Sequence, residues 1–319
     1  MNQDSKKKFD VIVVGELNVD LILNQINSFP ETGKEKLADE MTFTLGSSSA
    51  IFAGNLSSLG MSVAFIGKMG NDTFGQFCKD ELKRKGVDTS MILTEDKLKT
   101  GVTVVLNFGE DRANVTYQGS MKYLAVDDIT EEIISRGRHL HFSSYFLQTG
   151  FKDELYILFE KAKSTGLTTS LDIQWDPNEK WDFDYKKILP VIDVFLPNEK
   201  ELLNLTKKGS VESAIREINN YGNIIVVKQG RNGSLMSVDN NLIPCNAFAN
   251  DNVVDAIGAG DSFNAGFIYR YMQEYSPVQC QEFANLIGAI STTKAGGTTA
   301  FINYTETMKI AKEKFGYEE

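Results

Sequence analysis

Cysteine and histidine are scarce in this chain of 319 residues, and each scarcity closes off a class of function. The three cysteines, Cys78, Cys245 and Cys280, are odd in number, far apart and without metal-ligand spacing, so neither a disulfide framework nor a thiolate metal site is expected. The two histidines, His139 and His141, alternate along one short apolar segment with no third ligand in view, and read as structural residues on one face of a strand. No stretch approaches the roughly 18 uninterrupted apolar residues that a bilayer requires, and the start MNQDSKKKFD lacks the apolar core of a signal peptide. A soluble cytoplasmic protein with no membrane partner is the expectation. Positive charge is also short: 33 Lys and Arg against 43 Asp and Glu leave a formal charge of −10. That balance argues against a nucleic-acid partner, because such ligands are held by basic faces that neutralise phosphates. Any site for a phosphate-bearing ligand must therefore build its own positive potential from helix ends, a few lysines and a bound cation.

What the chain does have is a 42% hydrophobic content arranged in a repeating pattern, enough for a large core. FDVIVVG (9–15), VAFIG (63–67), HLHFSS (139–144), TTSLD (168–172), VIDVFLPN (191–198) and NIIVVK (223–228) read as strands buried on both faces, as in parallel sheets. Between them, 72–86, 153–166 and 210–222 end in glycine or start with capping residues, as helices do. Repeated alternation of this kind predicts an α/β fold, a doubly wound, mainly parallel sheet sandwich, as a single domain over 1–319. Two regions break the rhythm. KLADEMTFTLG (36–46), and TGVTVVLNF with ANVTYQG (100–108, 113–119) joined by the turn GEDR, alternate polar and apolar residues. They predict a small antiparallel sheet outside the sandwich, formed by insertions around 16–46 and 98–120 and able to act as a lid.

The most informative string is DAIGAGDSFNAGF, Asp255 to Phe267, in which a glycine-rich turn meets an apolar helix at an aspartate. The turn Gly258, Ala259, Gly260 has almost no side-chain bulk, and the first N–H groups of the following helix lack intrahelical partners, so an anion is stabilised there. Asp261 would repel a phosphate but suits the acceptance of a proton from an attacking hydroxyl. LPNEKEL puts Asn198 and Glu201 at a helix start three residues apart, where they serve either as a capping box or as oxygen ligands for magnesium. VVKQGRNGS carries Lys228, Gly230 and Gly233 after a strand, either a hairpin turn or a phosphate-holding loop. In GELNVD, Asn18 and Asp20 leave the C-terminal edge of the first strand, where open α/β sheets bind ligands, and supply the donor and acceptor that sugar hydroxyls need. GELNVD has one glycine instead of G-x-G-x-x-G, and no Walker string occurs, which counts against dinucleotide and P-loop enzymes.

The string around Asp261 resembles the second signature of the ribokinase-like (PfkB) family of sugar and nucleoside kinases, with Ala256 where that family usually has threonine. The resemblance runs over almost the whole chain and implies an ATP-dependent kinase acting on a hydroxyl, the primary alcohol, of a small sugar. It implies Asp261 as catalytic base with Gly258, Ala259 and Gly260 as anion hole. Asn198 and Glu201 would organise Mg2+ and the ATP phosphates, with Lys228, Gly230 and Gly233 along the nucleotide and Asn285 at the adenine. Asn18, Asp20, Gly46 and Ser47 would meet the sugar. Asp255 and the backbone of Ile257 would contact a monovalent cation, K+. The lid would close over the sugar and could form a homodimer contact. One region departs: in GSSSAIFAGNLSSLG (46–60), Ser47 replaces the second glycine and Ile51 stands where an asparagine is expected, which puts the sugar's identity in question. DIQWDPNEKW (172–181) lacks an arginine usual there. A sugar-phosphate kinase would need more basic residues near the lid than Arg112 and Lys122; a nucleoside kinase, or a sensor that binds without turnover, are the other readings.

Overall fold

The computed structural model describes residues 7–108 and 111–319, so Gly109 and Glu110 of the GEDR turn lie outside the described residues, as does most of the charged start. In chain order the first elements are β1 (Phe9–Val14), β2 (Asn18–Asn24), β3 (Glu40–Leu45), α1 (Ser48–Ser58), β4 (Val63–Gly70), α2 (Thr73–Arg84), β5 (Ile92–Glu95), β6 (Gly101–Phe108) and β7 (Asp111–Tyr117). There follow α3 (Glu131–Ile134), β8 (Gly137–Ser143), α4 (Leu155–Ser164), β9 (Thr168–Asp172), α5 (Tyr185–Ile188), β10 (Val194–Phe195), α6 (Glu199–Thr206), α7 (Val211–Ile218) and β11 (Ile224–Lys228). The chain closes with β12 (Ser234–Val238), β13 (Asn241–Cys245), α8 (Ala259–Met272), α9 (Pro277–Ser291) and α10 (Tyr304–Phe315).

The large sheet has the order β13-β12-β11-β10-β9-β8-β1-β4-β5. From β11 to β5 neighbouring strands run parallel, and β12 and β13 add an antiparallel edge. Parallel neighbours need long crossovers, and helices supply them on both faces. Along β1, Val11 and Val13 face one layer and Ile12 and Val14 the other, all fully buried, which is why the strand is apolar from Val11 to Val14. One layer packs α1, α2, α8, α9 and α10 around Phe52, Phe65, Phe267 and Phe283; the other packs α4, α6 and α7 around Phe142, Phe159 and Phe195. His139 and His141 are buried on β8, bonded to Thr168 and Ser170, with His141 stacked on Phe52, so both are structural. Among the described residues no helix is long and apolar enough to cross a membrane.

A second sheet, β3-β2-β6-β7, stands where the lid is expected. Its outer pairs are antiparallel, but β2 and β6 pair in parallel. The two are separated in sequence by β3 to β5, and a connection of that length allows a parallel return that a hairpin forbids. Two further details differ from the sequence expectation. The strand expected over 191–198 shrinks to Val194–Phe195, because Pro190 sits in a 3₁₀ turn and Pro197 can donate no ladder bond. FANLIGAISTTKAGG (283–297) predicts an apolar helix ending in glycines, whereas α9 spans Pro277–Ser291 and 292–297 is turn, with Gly296 at positive φ. Asn18 and Asp20 lie in β2, within the 16–46 insertion.

Candidate active site

Chain order makes the sheet reverse direction beside β1: the chain moves outward through β4 and β5, then returns to place β8 on the other side. Open α/β sheets bind ligands at such a point, beyond the C-terminal ends of the strands. Here a cavity of about 250 Å³ lies between that sheet edge and the lid. Glu16 follows β1, Ser144 follows β8 and Gln174 follows β9; Asn18, Asp20 and Arg112 face them from the lid, and Gly258 and Asp261 come from the start of α8. Three lining residues other than glycine hold positive φ, namely Ser47 (61°), Ser144 (59°) and Gln174 (59°). Such backbone costs on the order of 1–3 kcal/mol per residue and persists where surrounding contacts hold it, as they do at binding sites.

The start of α8 is shaped by glycine. Gly258 has φ 73°, and a Cβ there would meet the Gly297 backbone 2.7 Å away, so only glycine fits. The Ala259 N–H turns back to the Ala256 carbonyl at 3.3 Å. Among the described residues, those of Gly258, Gly260 and Asp261 have no hydrogen-bond partner and remain available to an anion. Asp261 is 8% exposed, and its Oδ1 accepts from Gln174 Nε2 at 3.0 Å. Burial, and then the Asp172 carboxylate, raise its pKa to about 7 against the pull of the Lys228 ammonium.

Behind Asp261 lies a largely buried network. Lys228 Nζ donates to Asp172 Oδ2 at 2.6 Å and to Asn264 Oδ1 at 3.2 Å, while Asn264 Nδ2 and Gln174 Nε2 also donate to Asp172 Oδ2, at 2.6 and 3.0 Å. Asn198 and Glu201 form a reciprocal capping box on α6: Glu201 N donates to Asn198 Oδ1 at 2.9 Å, and Asn198 N to Glu201 Oε2 at 2.8 Å. Asn198 Nδ2 adds a bond to Glu201 Oε1 at 2.6 Å. Burial and Asp172 nevertheless push Glu201 up to about 8. Asp172, Glu201 and Asp261 thus share one buried lysine, so their full ionisation would outnumber the counter-charge.

These shifts have a measurable sign. Asp20 and Asp261 at about 7, Glu201 at about 8 and Glu16, also raised, have folded pKa values above their unfolded ones. The fold therefore holds more protons than the unfolded chain, and its stability falls as pH rises through that window. Buried His139, pushed down to about 3, and His141 act in the opposite sense, but only below about 6.5. Ligand-free protein is expected to melt at a lower temperature at pH 8 than at pH 6.5, by about 1.4 kcal/mol per pH unit for each net proton. A flat or rising melting temperature over that interval would show that these carboxyls are not held neutral.

The residues singled out in the sequence fall into four groups. Asn18, Asp20, Ser47, Ile257, Gly258 and Asp261 line the cavity, and Gly46 lies directly behind, where a Cβ would run into Asp20 and Asn18. Asn198, Glu201 and Lys228 meet behind Asp261; Asn198 and Lys228 form a β-bridge. Gly233 and Asn285 come together further along, since Asn285 Nδ2 donates to Ser234 Oγ at 2.8 Å, and Gly230 stands exposed at the turn. Asp255 accepts from the N–H groups of Ile257 and Gly296, both at 2.9 Å, joining the α8 turn to the end of α9.

Residues 8–303 match the pfkB family of carbohydrate kinases, nearly the full chain. The protein belongs to this family. The kinase is 27% identical over 307 residues to a 5-dehydro-2-deoxygluconokinase of Geobacillus kaustophilus, covering 90% of this chain and 89% of the relative. It is 26% identical over 311 residues to a nucleoside kinase of Methanothermobacter thermautotrophicus, covering 97% of each. Its fold matches that of an Arabidopsis thaliana ribokinase solved with ribose and ATP, with TM-score 0.80 at 21% identity over 95% of this chain and 99% of the other. Sequence reading of the kinase did not name Glu16, Ser144 or Asn264, which stand at or behind the cavity, and took Asp172 and Gln174 only as part of the 172–181 segment behind it. One signal was present: Asp172 is a carboxylate ending an otherwise apolar strand, at the edge where such sheets bind ligands.

Proposed function

We propose that this carbohydrate kinase transfers phosphate from ATP to a hydroxyl, the primary alcohol, of a small sugar seated in the lid-covered cavity, with the whole chain acting as one kinase domain. The observation that carries the reading is Asp261: a buried carboxylate lining the cavity, beside unpartnered N–H groups of the α8 start. Its raised pKa of about 7 suits a base at neutral pH, since proton transfer is most effective when the catalytic pKa lies near the working pH. Gln174 orients the carboxylate, and the N–H groups of Gly258 and Gly260 stabilise charge on the phosphoryl group in flight. Glu201, with Asn198, would hold Mg2+, which when bound neutralises phosphate charge. Lys228, Gly230, Gly233 and Asn285 would lie along the nucleotide.

A sugar phosphate is the weaker reading. Among the described residues, Arg112 is the cation lining the cavity, and Lys122 sits over the Tyr123 ring instead. The proposal also carries K+ near Asp255 and Ile257, and a homodimer through the lid that would cover the exposed Met41, Val115 and Tyr117. The test is ADP release across hexoses, pentoses, keto-deoxy acids and nucleosides, with and without potassium, on the separate fractions of a sizing column. A clear preference for one sugar is expected. Sugar or nucleotide binding with no ADP release would make the protein a sensor instead.

A further inference from the structure

Between β9 and α5 the chain forms a loop in which Gln174, Glu179 and Trp181 all hold positive φ, at 59°, 53° and 53°. None of them is glycine, so each conformation is unfavourable by itself and is imposed by neighbouring contacts. This is the segment that lacks an arginine, and an aspartate, Asp176, stands at its centre. Asp176 is 3% exposed, and its carboxylate accepts three backbone N–H bonds: Oδ1 from Asn178 at 2.9 Å, and Oδ2 from Lys180 at 2.8 Å and Trp181 at 2.7 Å. Its own carbonyl accepts the Glu179 N–H at 3.0 Å. One side chain thus closes the loop from inside, through bonds of the stronger kind that a carboxylate makes with backbone N–H groups. At the loop's entrance, Gln174 Nε2 stands between two acids, donating to Asp172 Oδ2 and to Asp261 Oδ1, both at 3.0 Å. That contact takes up one oxygen of Asp261 and turns the other toward a substrate hydroxyl. Behind the loop, Trp181 meets Trp175 edge-on at 5.1 Å and Phe146 at 5.5 Å, and Phe146 adjoins Leu147 of the cavity wall.

We propose that Asp176 is a positioning residue for phosphoryl transfer: it acts through Gln174, holding the loop in the shape that sets the Gln174 amide against Asp261 and so aims the base. The inference rests on the kinase reading of Asp261. Asp176→Ala leaves three N–H groups without their acceptor, the positive-φ residues relax, and Gln174 parts from Asp261. The base keeps its place at the start of α8 but loses its orientation, which lowers kcat and leaves sugar and nucleotide binding nearly as before.

The chain has two tryptophans, Trp175 and Trp181, and both belong to this loop, so tryptophan emission reports on the loop alone. The experiment combines ADP-release kinetics with acrylamide quenching of that emission, on the full chain as parent, Asp176→Ala, Gln174→Met and the double variant. Substrates are the hexoses, pentoses, keto-deoxy acids and nucleosides named above, with ATP and magnesium, and variants are compared on the one that the parent turns over fastest. Asp176→Ala and Gln174→Met should each lower kcat about 10- to 100-fold, with both KM values within about 3-fold of the parent. The double variant should fall no further than the slower single variant, because Asp176 acts through Gln174. Acrylamide should quench Asp176→Ala more strongly than the parent, since Trp181, 8% exposed, is released, whereas Gln174→Met should quench as the parent does. Asp176→Asn keeps one carboxylate oxygen; it should lie between parent and Asp176→Ala in both readouts, and it decides the matter if the alanine variant does not fold. The proposal is overturned if the Asp176 variants turn over like the parent, if the loss falls on KM instead of kcat, if the two losses multiply in the double variant, or if quenching is unchanged. No ADP release by the parent with any of these substrates would remove the kinase reading and the inference with it. ADP release by parent and Asp176 variants alike would remove the inference alone.

Discussion

Asp261→Asn is expected to lower kcat by about 10²- to 10⁴-fold while nucleotide affinity changes little. Asparagine keeps the shape and the contact with Gln174 but cannot take a proton from the attacking hydroxyl. The same change removes one of three buried acids that share a single lysine, so the variant should be no less stable than its parent at pH 8, and somewhat more so. That combination separates a catalytic role from a structural one: a residue kept for packing or ion pairing would lose stability when neutralised. ADP-release kinetics, nucleotide calorimetry and thermal unfolding at pH 8 read the three parts. Turnover near that of the parent would remove Asp261 from the mechanism.

Lys228→Met should have the largest effect on stability. The Lys228 side chain is 10% exposed and that of Asp172 not at all, and they meet at 2.6 Å. Breaking a buried pair by deleting one partner leaves an uncompensated charge, which costs about 3–5 kcal/mol. Here Glu201 and Asp261 also lose their nearest counter-charge. A fall in melting temperature on the order of 10 °C follows. Because the penalty comes from ionised carboxylates, lowering the pH from 8 to 6.5 should recover part of it, and Asp172→Asn added to Lys228→Met should recover more. A variant that melts with its parent at pH 8 would show that the pair does not hold this part of the fold.

The frame of the molecule was legible because parallel strands buried on both faces must be apolar along their length. β1, β8, β9 and β11 were read close to their observed limits, and Asp72 and Ser210 stand at the helix caps that their residue types favour. The DAIGAGD string marked the α8 turn for a similar local reason, since Gly258 needs positive φ and has no room for a Cβ. Local chemistry was ambiguous elsewhere. Asn198 and Glu201 suit either a capping box or oxygen ligands, and the structure shows the box, with both Glu201 carboxyl oxygens accepting from Asn198.

By itself the sequence determined what depends on neighbours a few residues apart: the alternation of strands and helices, the glycine turn at 258–260, and an acid at the head of an apolar helix. Tertiary structure alone decided which distant groups surround that acid. Gln174 and Asp172 reach it from the end of β9, Lys228 from β11, and Glu16 and Ser144 meet where the sheet reverses direction. The parallel pairing of β2 with β6 belongs to the same class. The physical reason is that burial and charge–charge proximity are properties of the packed chain. A carboxylate carries no sign in the sequence of how dry its surroundings will be or which other acids will stand beside it, and those two quantities set its pKa and its chemistry.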